Sequence, residues 1–548
     1  MSGRFGRRSR EERKVRRYMR NNIDSIIVGV YFLIIFIAGF FVSRHYRRTS
    51  AEEFITGGRS RSWYQIGIAL FAMGADPSVM GVAGLGFLWG FYLIQWPGVH
   101  MWFTTWFAAM FLMPIYWRSR IVTTPEYLEK RFNVQSRALF SLIMISILVV
   151  TLAGGLFLGS LLLKNLLSWS MMASVVLISA VVGFYVILGG MKTVLSIDFY
   201  QGLLIIVTLV VVTVMTLSKI GGLAGFAATQ AVGNAGIPLK SIVPPSDWSI
   251  FTKTYFPMQA VMVWATIAGV GWMSCNFGMA QRLLAAKSEK DAQKALMFMA
   301  VLAVFYPFCS FIIGAVMRIV MPDILPDEAM MRAILDFFPV GIRGLLVAGL
   351  MAALLSTIDG MLTASSALFT EDFYLRILRP SASPTELKNV TRFIEALTIV
   401  TTVALFPLVA KSQSAMAFIQ SFYGDVLGVV VALFVIGIFT TRVAPWSAFT
   451  AMVSGVAFAV LLDIFTAVNF AYIGFFSFVF TVIAALAFSR FERPVPRERL
   501  TDLTIHTLPD AKPVWVGLKS WPGLWKTAVV IALVWFTFTA AWEMIFIH

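Results

Sequence analysis

Long apolar runs recur from one end of this 548-residue chain to the other, and no other feature of the sequence constrains its fold so strongly. A run of about 20 such residues is long enough for an α-helix to cross the hydrocarbon core of a bilayer. Unpaired backbone groups cost several kcal/mol each in lipid, so spanning segments must be helices or strands of a closed barrel. These runs are too long and too uniformly apolar for the alternating strands of a barrel. The sequence therefore predicts an all-α polytopic membrane protein with about 14 transmembrane helices.

The segments between these runs are short, and the composition agrees with a membrane protein. Only 13% of the residues are charged, about half the share that is usual in a soluble domain. No stretch outside the runs is long enough for a sizeable water-soluble domain, so we expect a multi-pass protein of the cell membrane that is surrounded by the lipid bilayer. The predicted spans are 24–43, 65–92, 98–117, 137–165, 170–190, 197–217, 257–282, 295–320, 342–370, 389–410, 416–440, 446–466, 470–489 and 525–546.

The net charge of +16 raises the question of a nucleic-acid partner. Nearly all basic residues lie in loops between predicted spans, and the one dense cluster is the N-terminal tail, with nine basic residues between Arg4 and Arg20. Contact of such a tail with anionic lipid is the simpler interpretation. We therefore expect no nucleic-acid partner.

Loop charge also predicts the orientation of the spans. With the N-terminus outside, the loops on one side carry 27 lysines and arginines, and those on the other side carry eight. The positive-inside rule places the richer side in the cytoplasm. The nine charges of the N-terminal tail would then lie outside, which is the one observation against this orientation.

Two of the predicted spans are interrupted by residues that a plain membrane helix avoids. The second contains Asp76 and Pro77 among several glycines, and the proline kinks or opens the helix because it removes a backbone donor. The seventh contains Ser274 and Asn276 among further glycines. Five helices separate the two interruptions, which is the period of a five-plus-five inverted repeat, and paired interruptions of this kind predict a binding site at mid-membrane. We expect Asp76 and Asn276 to face the substrate there; the alternative is that the glycines only allow close helix packing.

Four carboxylates fall inside predicted spans, where each is costly and demands a reason. They are Asp76, Asp198, Asp359 and Asp425. In the ninth span Ser356 and Asp359 share one helix face, and Thr357 adds a second hydroxyl. Hydroxyl, carbonyl and carboxylate oxygens suit hard cations and bind transition metals poorly, so this helix is predicted to hold Na⁺. Two alternatives stay open: Ser356 and Thr357 can bond back to their own helix, and Lys192 can neutralise Asp198.

Signatures of catalysis, nucleotide hydrolysis or metal binding do not occur in the sequence. The four histidines are scattered, and no glycine-rich loop is followed by Lys-Ser or Lys-Thr. Both cysteines, Cys275 and Cys309, lie in predicted spans, where packing explains them. We predict that the chain is not an enzyme and that it has no cofactor.

Four segments resemble motifs of the sodium/solute symporter family, the group of sodium/glucose cotransporters and proline permeases. They are EEFITGGR at 52–59, TPEYLEKRF at 124–132, QRLLAAKS at 281–288 and the stretch 351–374. The motifs occur in the family's order across residues 50–445, and together they make the resemblance specific. It implies one leading helix, ten core helices in two inverted repeats with interrupted first and sixth core helices, and extra helices at the end.

The resemblance also implies site residues. In the family a sodium ion bridges the first and eighth core helices, and the matching ligands in this chain are the carbonyls of Ala72, Ala75 and Ala353 and the hydroxyls of Ser356 and Thr357. Some members hold a second sodium near an aspartate that Asp198 matches. Two serines of that second site correspond to Asp359 and Gly360 here, which is a departure from the family pattern. Gln420 matches a glutamine that contacts substrate in sugar transporters of the family.

The domain organisation follows from the spans and the resemblance together. We predict a basic tail at 1–22, a leading helix at 23–43, inverted repeats at 62–217 and 253–440, two additional helices at 444–489, a cytoplasmic loop at 490–522 and a terminal helix at 523–548.

The leading hypothesis for function is a sodium-coupled symporter of a small organic solute that works by alternating access, with Na⁺ as the coupling ion. The alternative within transport is proton coupling through Asp359 or Asp76. The alternative of a different class is a membrane sensor with a transporter fold, which we rank lower because a sensor is expected to carry a soluble output domain.

Overall fold

The computed structural model describes residues 22–45, 51–75, 78–94, 103–167, 170–233, 236–241, 263, 266–410, 415–508 and 522–546. These residues form helices joined by short turns, and no strand occurs among them. The predicted all-α class is therefore confirmed. The α-helices, in chain order, are α1 (Asn22–His45), α2 (Ala51–Thr56), α3 (Trp63–Gly74), α4 (Ser78–Trp89), α5 (Met113–Arg118), α6 (Thr124–Arg131), α7 (Val134–Leu167), α8 (Met171–Ser218), α9 (Gly222–Ala228), α10 (Phe277–Leu284), α11 (Glu289–Val320), α12 (Ala329–Phe337), α13 (Ile342–Leu368), α14 (Pro384–Ala410), α15 (Ala415–Phe439), α16 (Pro445–Phe465), α17 (Phe470–Phe488) and α18 (Pro522–Phe546).

Within the described ranges, nine helices are long and apolar enough to cross a membrane. The pair α3 and α4 forms a tenth candidate span, bent by 52° at its break. Helix α8 covers two predicted spans, 170–190 and 197–217, and it is kinked where the first of them ends, because the backbone of Gly190 leaves the helical region with φ of 61°. The total of fourteen spans and the inverted repeat remain predictions.

Helix α13 lies at the centre of the bundle. It packs against α1, α3, α7 and α8, and in the span Ile342–Leu378 that it begins, 94% of the most apolar stretch is buried. Its approach to α8 is close, since a Cβ added at Gly349 would collide with the hydroxyl of Thr208. The polar side chains of α13 therefore face protein rather than lipid, as polar groups in a membrane do.

The break between α3 and α4 points backbone carbonyls into the bundle. Helix α3 ends at Gly74, and the amide of Ala75 donates to the carbonyl of Phe71 at 2.7 Å. The last carbonyls of a helix have no partner within it. Because the Met73 carbonyl reaches Thr357 in the middle of α13, the last turn of α3 lies beside that helix.

A buried ion pair joins α6 and α7 to the segment that continues α13. Asp372, which is fully buried in the π-helical continuation of α13, accepts hydrogen bonds from Arg137 Nε and Thr123 Oγ1, both at 2.8 Å. Arg137 also pairs with Glu129, at 2.7 Å between Nη1 and Oε2. The network therefore ties α6 and α7 to the end of α13.

Replacing Arg137 by alanine is expected to lower the free energy of unfolding by about 3–5 kcal/mol, because it leaves the Asp372 carboxylate buried without its cation. Arg376→Ala is the matched control, since Arg376 also pairs with Glu129 but its side chain is half exposed. That change should cost less than about 1 kcal/mol. Thermal unfolding of the detergent-solubilised variants measures both, and equal small shifts would show that the buried pair is not an anchor.

Candidate functional site

The hydroxyl of Thr357 lies between α3 and α13. Its Oγ1 is 3.2 Å from the carbonyl oxygen of Met73, at the end of α3, and 3.1 Å from that of Ala353 on its own helix. The second contact is the back-bonding that the sequence left open, whereas the first joins the two helices. The predicted ligands Ala72, Ala75 and Ala353 are all buried. The carbonyl that reaches Thr357 is that of Met73, which lies between two of them.

The neighbouring hydroxyl, that of Ser356, is buried and has no hydrogen-bond partner in the described part of the chain. Leaving a buried polar atom unpaired costs about 1–3 kcal/mol, so such an atom in a native structure calls for an explanation. A hydroxyl oxygen can coordinate a cation, so a bound ion would supply the missing partner. Ser356 and Thr357 thus place two hydroxyl oxygens at adjacent positions of α13, and that of Thr357 contacts the last turn of α3; oxygen ligands of this kind suit Na⁺.

An arginine and two carboxylates form a fully buried cluster beside Ser356. The Arg282 guanidinium, reaching from α10, donates through Nη2 to Asp198 Oδ2 at 2.6 Å and to Asp359 Oδ1 at 3.5 Å. Its Nε adds a 3.2 Å bond to the same Asp198 oxygen. Tyr185 donates to the other Asp359 oxygen at 2.7 Å. With both carboxylates ionised, the cluster carries one net negative charge.

The residues predicted for a second sodium are therefore brought together, and a guanidinium lies between them. Asp198 belongs to α8 and Asp359 to α13, and the same Arg282 Nη2 also contacts the Ser356 carbonyl at 3.5 Å. Lys192, which the sequence offered as a neutralising partner for Asp198, instead pairs with Glu53 at 3.1 Å. The cluster adjoins the hydroxyl pair, so its charge acts on any cation held there.

Sequence reasoning missed Arg282 and Tyr185 as parts of this site. Arg282 was recognised only as part of the motif at 281–288 and was given no role in the site. A signal was available: a basic residue ends a predicted span, and two intramembrane carboxylates need a cation within the protein. Tyr185 gave no signal, because a tyrosine within an apolar span is usual in a helix core.

The three residues predicted to contact substrate fare differently. Asn276 is buried and lies where the seventh span is broken, between a π-helical turn at Gly271–Cys275 and α10. Its Oδ1 accepts from the amide of Gly278 at 2.8 Å and so caps α10, while its Nδ2 has no partner among the described residues. Asp76 and the side chain of Gln420 lie outside the described residues.

The fold and these sites define a class: a polytopic helical transporter whose interrupted helix faces a buried polar helix. Comparison with known proteins gives the family. A model described as the sodium:solute symporter family matches residues 54–455, which is more than half of the chain, so the chain belongs to that family. The resemblance drawn from the four motifs is confirmed.

Individual relatives agree. The chain is 27% identical over 463 residues to the sodium/glucose cotransporter of Vibrio parahaemolyticus, with 80% of this chain and 85% of that protein covered. It is 27% identical over 477 residues to the sodium/myo-inositol cotransporter of Mus musculus, covering 79% of this chain and 65% of the mouse protein, which is less than two thirds of its length. A solved structure of a Na⁺-coupled sialic acid symporter has the same fold, with a TM-score of 0.78 at 22% identity over 87% of this chain and 99% of that one.

The comparisons confirm the coarse predictions made from the sequence. The chain is a multi-pass membrane transporter that couples a solute to sodium, and Na⁺ is its coupling ion. No comparison bears on the individual site residues.

Proposed function

We propose that this symporter binds its coupling sodium between the end of α3 and the middle of α13. The observation that carries the proposal is the 3.2 Å contact of Thr357 Oγ1 with the Met73 carbonyl, beside the unpartnered hydroxyl of Ser356. The proposed ligands are the two hydroxyls and carbonyls from both helices. The carbonyls come from Ala72, Ala75 and Ala353, with Met73 added on the geometry.

A sodium ion at this position couples binding to conformation. Its ligands come from two helices, so the ion binds tightly only when α3 lies against α13. A ligand shifts a conformational equilibrium only by its difference in affinity between the two states. Separation of the helices would release the ion, which is the step that alternating access requires. At a membrane potential of about 100 mV, each inward positive charge supplies roughly 2.3 kcal/mol to the cycle.

We further infer that Asp359 balances the charge of the ion. Arg282 satisfies Asp198 at 2.6 Å but lies 3.5 Å from Asp359, so the net negative charge of the cluster lies mainly on Asp359. Na⁺ on the Ser356 side makes the region neutral. Because Arg282 already lies between the two carboxylates, we propose one sodium ion beside α13, with Asp198 and Asp359 as fixed negative charges near it.

The same surplus carboxylate is what proton coupling would use, so proton-driven transport through Asp359 or Asp76 is the second candidate. Two hydroxyls and free carbonyls favour sodium, because a proton relay has no need of neutral oxygen ligands. Driving forces applied separately distinguish the two candidates.

The solute is proposed to bind at the level of the two helix breaks. The carboxamide nitrogen of Asn276 is a buried donor without a partner in the described part of the chain, and it lies at the break before α10. Such a donor suits a solute that offers hydroxyl or carbonyl oxygens. The relatives named for glucose and myo-inositol make sugars and polyols the first solutes to test, followed by amino acids and carboxylates. Asp76 and Gln420 remain predicted contacts.

The finer assignments of location and role are also part of the proposal. We place the protein in the cell membrane with its basic loops in the cytoplasm, because the loop charge follows the positive-inside rule. We propose that the chain transports its solute and catalyses no reaction.

The proposed ion site is tested by removing each hydroxyl. Ser356→Ala and Thr357→Ala should each raise the sodium concentration for half-maximal uptake at least about tenfold, since a contact with a charged group is worth roughly 1.5–3 kcal/mol. Ser365→Ala is the matched control, because Ser365 is buried on the same helix and its hydroxyl, among the described residues, bonds only to the Leu362 carbonyl at 3.0 Å. Uptake into proteoliposomes at graded sodium concentrations gives the values. Unchanged sodium dependence in both variants would place the ion elsewhere.

A further inference from the structure

A cavity of about 300 Å³ is lined by several basic residues. It lies where the end of α6, the start of α16 at Pro445 and the segment that follows α17 meet. Its lining includes four basic residues, Lys130, Arg131, Arg493 and Arg499. None of its lining residues belongs to the proposed sodium site, and transport as described above makes no use of it.

The positive charge of Arg131 is held in place without an acidic partner in the described part of the chain. The residue is buried, and its guanidinium donates to three carbonyls: to Gly437 at 3.0 Å, to Thr440 at 2.7 Å and to Val443 at 3.2 Å. Carbonyl oxygens satisfy its hydrogen bonds but carry no net charge. The wall of the cavity therefore holds an uncompensated cation that cannot move away.

Two further cations on the rim lack acidic partners among the described residues. Arg493 and Arg499 are both exposed and form no ion pair there. Lys130 is different, because its amine pairs with Glu126 at 2.8 Å. Three positive charges thus line one concave site without an ion pair to any described carboxylate, which is the electrostatic signature of an anion-binding site.

Exposed aromatic side chains beside the rim are typical of a position at the membrane interface. Glu492 caps the start of α16, accepting from the amide of Ser447 at 2.9 Å, and so holds Arg493 beside that helix end. Two aromatic residues next to this contact are exposed: Phe491, which precedes Glu492, is 90% exposed, and Trp446, which precedes Ser447, is 55% exposed. Exposed aromatics at the ends of spanning helices mark the headgroup level of a bilayer. An anion that carries an apolar part could pack that part against these two exposed aromatics.

We propose that the cavity binds the phosphate of an anionic phospholipid headgroup, with Arg131, Arg493 and Arg499 around it. The phosphate supplies the missing negative charge, and the acyl chains lie along α16 and α17 past Trp446 and Phe491. Because Arg131 holds the carbonyls at the end of α15, the bound lipid would fasten α6, the α15–α16 turn and the segment after α17 to one another. The lipid then acts as a structural ligand of this face of the transporter.

The purified full-length protein in a neutral detergent tests this with phosphatidylglycerol as the probe and phosphatidylcholine as the reference lipid. Phosphatidylglycerol should raise the unfolding temperature more than phosphatidylcholine and remain bound in native mass spectrometry. The double variant R493Q/R499Q should bind it on the order of 30-fold more weakly. Each of the two arginines contributes about equally to the affinity for an anionic headgroup, so the two losses multiply. Arg497→Gln is the matched control: it removes an exposed arginine of the same segment that does not line the cavity.

Three outcomes would overturn the proposal. An equal response of R493Q/R499Q and the wild type would remove the site. An equal loss in Arg497→Gln would reduce it to general surface charge. The third arm uses inorganic phosphate: if it raises the unfolding temperature as much as phosphatidylglycerol at the same concentration, the cavity takes a soluble anion and not a lipid.

Discussion

Replacing Arg282 by methionine is expected to destroy the native protein. The change leaves Asp198 and Asp359, both fully buried, without the cation that lies between them. Breaking a buried ion pair from one side costs about 3–5 kcal/mol, which is a large part of the stability of a typical protein. Arg282→Met should therefore accumulate poorly and unfold on extraction into detergent. The yield of monodisperse protein on size-exclusion chromatography measures this.

A charge-balanced double variant separates loss of charge from loss of the side chain. In Arg282→Gln with Asp198→Asn, one cation and one carboxylate are removed together, so the net charge of the cluster is unchanged. Neutral amides can still bond to each other, and we expect the yield to recover to near the wild-type level. A single Arg282→Met variant with normal yield and stability would contradict the description of the cluster.

Asp359→Asn is expected to weaken sodium binding on the order of 30-fold. For an ion on the order of 8 Å from the carboxylate and an effective dielectric constant of about 20, a unit charge would contribute roughly 2 kcal/mol to cation affinity. The carboxamide keeps an oxygen that can accept from Tyr185, so the packing of α13 against α8 should persist. The sodium concentration for half-maximal uptake should rise by that factor, with little change in the thermal stability of the protein.

The control for this variant is Asp463→Asn, which removes an exposed carboxylate near the end of α16. It should leave the sodium dependence unchanged. A normal sodium requirement in Asp359→Asn would show that Asp359 does not balance the ion, and the charge argument would fail even if the hydroxyl ligands are correct.

Much of the site could be predicted because its signals are local. Ser356 and Thr357 stand out in a run of apolar residues, and helix periodicity alone places Ser356 and Asp359 on one face. Glycines and Pro77 predict an opening in the second span, and α3 does end at Gly74. Each of these statements needs only neighbours in sequence and the cost of polar groups in lipid.

The parts that were missed depend on long-range packing. Arg282 lies 84 residues from Asp198 and 77 from Asp359, and only the fold brings the end of α10 between α8 and α13. The carbonyl that contacts Thr357 belongs to Met73. Which carbonyl faces Thr357 depends on the exact residue at which α3 ends. The sequence predicts such ends only to within a few residues.

Uptake by the wild-type protein tests the central claim most directly. Proteoliposomes containing the purified protein would be given candidate solutes under an inward sodium gradient at equal pH, and separately under a pH gradient without sodium. We predict accumulation above equilibrium with the sodium gradient and none with the pH gradient alone. Robust accumulation driven by the pH gradient in the absence of sodium would contradict sodium coupling.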